Sequence, residues 1–136
     1  IQLNKFLILV GLYDIINSPI IRVYLGEINM FGLFAKKVMN EEAAKSFWEW
    51  FAEKEEWIIS CISNHDSAFV WAIDEKLKPV FPYFKGELEF QLGYNNSVGE
   101  FFFFHFGNKN LIKDADALAR MMPKNISEHW TFIAEK

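Results

Sequence analysis

Two glutamates and two histidines are the residues whose types could act together chemically. Glu87 and Glu89 alternate along ELEFQLG, the pattern of a half-buried strand, so both carboxylates share one face with Gln91. His129 alternates with Thr131 in HWTFIAE, and His105 stands near the end of EFFFFHF with the parity of Phe101 and Phe103. On neighbouring strands, two imidazoles and two carboxylates are ligand types that zinc accepts. No single element fixes them, because neither His-x-x-x-His nor His-Glu-x-x-His occurs. A solvated sheet face explains the same four residues and is the preferred reading: no metal, no cofactor and no catalytic residue is expected. A metal-binding protein or enzyme built on this polar face stands as the alternative.

Other chemistries find less support. There is no Gly-x-Ser-x-Gly elbow, and the lone Cys61 has no neighbour that marks it as a nucleophile, so it reads as a small apolar residue near a helix end. GYNNSVG joins strand to strand and lacks the following helix N-terminus that a phosphate loop uses. Asp114 and Asp116 lie two apart on a predicted helix, about 200° around it, and cannot converge as a carboxylate pair. With Lys113 and Arg120 they read as an outward, solvated face. His65 and Asp66 are adjacent and do not face each other on a helix; Asp66 reads instead as the closing member of a capping box begun by Ser63.

Composition narrows the partners. Fourteen Lys and Arg stand against 18 Asp and Glu, a formal charge of −4, and the lysines are interspersed with glutamates, so nucleic acid is not an expected partner. One cysteine excludes an internal disulfide framework and agrees with a reducing compartment, which makes the cytoplasm the expected location. The aromatic share of 18%, with 15 Phe and 5 Trp, means that large rings dominate packing.

The elements that would position these residues follow from periodicity. Residues 1–29 carry KFLILVGLY, an apolar run interrupted by Asp14 and too short to span a bilayer, and then INSPIIRVYLGE. Two readings of this segment stay open: leader DNA translated upstream of a start at Met30, or an extra strand. If it is not native, no membrane contact is expected. After Met30, Asn40 is an N-cap, and Phe47, Trp50, Phe51, Ile58 and Ile62 recur at helical spacing, with Trp48 and Trp57 widening that face. A second helix carrying Trp71 runs to about Lys78, before Pro79. Strands over ELEFQLG and EFFFFHF make a hairpin around YNNSVG, a third helix ends at Pro123, and HWTFIAE is a third strand. The fold class is α+β: a single domain over 30–136, order ααββαβ, with a mixed or antiparallel sheet of three or more strands packed against helices. Trp48, Trp57 and Trp71 are the candidate interaction surface.

MFGLF…FWEWFAEKEEWI, LKPVFPYFKGELEFQLG and the run from Gly99 to Lys136 resemble a family of small bacterial proteins of uncharacterised function. Its members pair a short Lys-rich leader and an FWxWF helix with an E.viSadG strand and a terminal W.iiAF strand. The anchors here are Phe47, Trp48, Trp50, Phe51, Phe90, Glu100, Gly107, Pro123, Trp130 and Ala134. The resemblance implies a start at Met30 and further strands beyond Lys136. In place of the family's polar SadG end, this chain has Phe104-His105-Phe106-Gly107. The resemblance brings no activity.

The expected function is therefore a non-catalytic module that binds another protein. Immunity to a bacterial toxin is a specific form of it, by analogy alone.

Overall fold

Asn40 Oδ1 accepts the Ala43 N–H at 3.1 Å and opens the first helix, α1, Glu41–Ser63, in the computed structural model, which describes residues 38–135. Both readings of residues 1–29, and any strand past Lys136, lie outside the described residues. Glu41 and Glu42 occupy the first turn, where negative charge favours the helix dipole. The helix ends in a Schellman motif: His65 takes a left-handed φ of 55°, its N–H reaches Ile62 O at 3.3 Å, and Asp66 N–H reaches Cys61 O at 2.9 Å. The expected capping box at Ser63 is therefore not formed, because Ser63 is still helical. Asp66 caps by a shorter route, accepting the Ala68 N–H at 2.9 Å as α2, Ala68–Leu77, begins.

A short 3-10 turn, Lys78–Val80, follows α2. Strand β1, Glu89–Asn95, then pairs antiparallel with β2, Val98–Phe104. Asn96 and Ser97 make the two-residue turn with φ of 51° and 64°, as a type I′ hairpin requires. That turn places β2 two residues earlier than the apolar run EFFFFHF suggests, and leaves Glu87 in the loop before β1. Asn108 caps α3, Lys109–Arg120, by accepting the N–H groups of Asn110 and Leu111. A single-turn helix, α4, Lys124–Ser127, precedes β3, Trp130–Glu135, which pairs parallel with β2. The described residues thus form one α+β domain with a mixed sheet of order β1-β2-β3. The strand that is apolar on both faces, β2, is the central one.

Aromatic rings fill the space between α1 and the sheet. Phe51 meets Trp130 edge-on at 5.1 Å, Phe47 meets Phe101 at 6.2 Å, and Phe101 lies 4.9 Å from Phe132. Trp130 can lie this low only because Gly99 has no side chain: a Cβ there would sit 2.4 Å from the indole. Two expectations are corrected by the core. Trp48 is buried, not surface, and donates its Nε1–H to Leu118 O at 2.8 Å, which ties α1 to the end of α3. Asp114 is 4% exposed rather than part of a solvated face, and Tyr83 is its partner.

Candidate functional site

The four residues considered for metal do not converge. Glu89, like Gln91 and Thr131, lies on the outer face of the sheet, whereas His105 continues the inward parity of Phe101 and Phe103 and is buried. The His105 Nδ1 accepts the Gly107 N–H at 3.0 Å, and its carbonyl accepts Asn108 N–H at 2.9 Å, so the side chain serves the turn between β2 and α3. Glu87 lines a shallow depression with Lys78, Phe84 and Lys85. His129 turns away from the outer face to meet Glu55 of α1 through Nε2. Among the described residues, no group of three or more His, Cys, Asp or Glu is placed to hold a metal ion.

Two part-buried polar contacts that the sequence did not reveal tie these elements together instead. Glu55 Oε2 accepts the Trp130 Nε1–H at 2.7 Å as well as contacting His129, so one carboxylate on α1 fixes the start of β3. Tyr83 donates its hydroxyl to Asp114 Oδ2 at 2.6 Å. Burial first, then this hydrogen bond and the aspartate's charge, raises the Tyr83 phenol above its ordinary range. A signal for both did exist. Glu55 stands four residues after Phe51 and three before Ile58, and Asp114 three after Leu111 and four before Leu118, so each falls on its helix's buried stripe.

The aromatic candidates separate cleanly. Trp48 belongs to the core, while Trp57 is 41% and Trp71 76% exposed, with Val70 at 39%. Where α1 meets α2, Trp50, Lys54, Trp57 and Ala72 line an open groove of about 270 Å³. Trp50, Lys54 and Trp57 follow one another at helical spacing, and Trp71 adjoins Ala72. Exposed Glu53 stands four residues before Trp57, and exposed Glu75 four after Trp71, so each indole has a carboxylate beside it. No helix among the described residues is long and apolar enough to cross a membrane. Compared with protein-family models, curated proteins and solved structures, the chain finds no match in any of the three.

Proposed function

We propose that this protein is a non-catalytic, protein-binding module of the bacterial cytoplasm, and that the outer side of the α1–α2 hairpin is its docking surface. The observation that carries the reading is Trp71, with 76% of its surface exposed on a helix that had buried positions to offer it. The exposed Val70 precedes this solvent-facing indole in α2, and on the same hairpin the exposed Trp57 lines the groove between α1 and α2 with Trp50, Lys54 and Ala72. Tryptophan is the residue type most enriched among interface positions that carry binding energy, because one rigid ring buries a large area at low entropic cost. The small, acidic character of the chain and its resemblance to the bacterial FWxWF family extend the reading to a single dedicated partner, such as a toxin neutralised by an immunity protein.

The test is quantitative affinity capture from the cells that make the protein, with Trp57→Ala/Trp71→Ala beside wild type. One protein retained stoichiometrically at nanomolar affinity, and released by the double substitution while circular dichroism is unchanged, supports the reading. Capture that the substitutions leave unaltered removes the hairpin as the docking surface.

A further inference from the structure

The outer face of the sheet has a charge pattern that the helical surface lacks. Strand register sets Glu89, Phe104 and Glu135 side by side in one row across β1, β2 and β3, and Gln91, Phe102 and Ile133 in the next. Neighbouring strands lie about 4.8 Å apart, so Phe104 stands between two carboxylates. A third, Glu100, closes the far side of the apolar centre. All three glutamates are exposed, and the strands place no Lys or Arg on this face. Among the described residues, none of the three has a cationic partner within 4.0 Å.

Just beyond β2, Phe106 is 65% exposed, and its ring stacks with Phe104 at a centroid distance of 6.4 Å. Its φ of 49° is a left-handed conformation in which bulky L-residues are rare. The turn therefore presents a second aromatic ring beside the first. Aromatic faces attract cations, and flanking carboxylates add charge-assisted hydrogen bonds. A guanidinium meets both demands at once, since it is planar, stacks on rings and forks toward carboxylates, whereas an ammonium is a strongly hydrated point charge. A second copy of this chain is a poor occupant, because a face on which the charges among the described strand residues are all carboxylates would meet the same charges in a symmetric pair.

We propose that the outer sheet face docks an arginine-bearing segment of a partner protein, with the guanidinium over the Phe104 ring between Glu89 and Glu135. This surface is separate from the tryptophan surface of the hairpin and stands or falls independently of it.

The experiment is an NMR titration of the full chain with a short peptide of alternating glycine and arginine, and with its lysine counterpart. Saturable shifts centred on Phe104, Phe106 and Ile133 are expected from the arginine peptide, with weaker binding by the lysine peptide. Glu89→Gln/Glu135→Gln should lower the affinity about tenfold or more, Phe104→Leu should lower it as well, and Trp71→Ala should leave it unchanged. Shifts that map elsewhere, equal binding of the lysine peptide, or an affinity unaltered in the glutamine double variant would overturn the proposal.

Discussion

Tyr83 and Asp114, 31 positions apart, are joined by a 2.6 Å hydrogen bond that docks the loop before β1 onto α3. The phenol keeps its proton in the folded protein at pH values where an unfolded tyrosine, with a pKa of about 10, has lost it. Its contribution to stability is complete below about pH 10 and is lost as the pH rises further, because the folded state then binds more protons than the unfolded one. Urea midpoints measured from neutral pH to about 11 should fall at the alkaline end, and less steeply in Tyr83→Phe. At neutral pH that variant should be less stable by about 1–3 kcal/mol, since the buried Asp114 carboxylate loses its hydroxyl partner.

Glu55 has an equivalent role at the other end of the sheet. Glu55→Ala leaves the indole N–H of the buried Trp130 without its acceptor and should cost about 1–3 kcal/mol in chemical denaturation. Glu55→Gln keeps an amide oxygen within reach of that N–H and should cost clearly less. Equal losses in the two variants would mean that the carboxylate charge, through His129, matters more than the indole bond.

Two glycines on the hairpin separate packing from backbone effects. Gly99→Ala drives a methyl into the Trp130 ring and should destabilise by about 1–3 kcal/mol or more. Gly93→Ala has nothing within 4 Å and should be neutral or stabilising by up to about 1 kcal/mol. Thermal melts of the pair provide the check.

Ser97 sits in the hairpin turn with φ of 64°. A left-handed L-residue costs about 1–2 kcal/mol, so Ser97→Gly, which creates the Asn-Gly pair favoured in type I′ turns, should raise stability by about 1 kcal/mol. A lower urea midpoint in that variant would contradict the turn assignment.

How far the sequence could be read follows from the range of the contacts involved. Asn40, the stripe through Phe47, Phe51 and Ile58, and the alternation around Phe90 are local signals, and α1 and β1 formed where those signals lie. Trp48 was misplaced because its acceptor, Leu118 O, is 70 residues away, and no local spacing reveals that an indole N–H will be satisfied inside the core. Asp114 was misplaced for the same reason: a carboxylate on a buried stripe is unfavourable until a distant hydroxyl is known to meet it. The polar sheet face was legible in Glu89, Gln91 and Thr131. His105 keeps the parity of Phe101 and Phe103 that the sequence shows, but β2 is apolar on both faces, so alternation alone does not reveal that this parity is the buried one. Trp48, Trp57 and Trp71 are all legible as candidate surface aromatics, but only the packing of the core separates the buried Trp48 from the exposed Trp57 and Trp71.

The central claim, that the α1–α2 hairpin docks a partner protein, is tested most directly by photo-crosslinking in living cells. A photoreactive amino acid placed at Trp71 is compared with the same group at Lys124, an exposed position on α4. A single discrete adduct from position 71, absent from position 124, is the predicted result. No adduct at 71, or the same mixture of adducts at both positions, would contradict it.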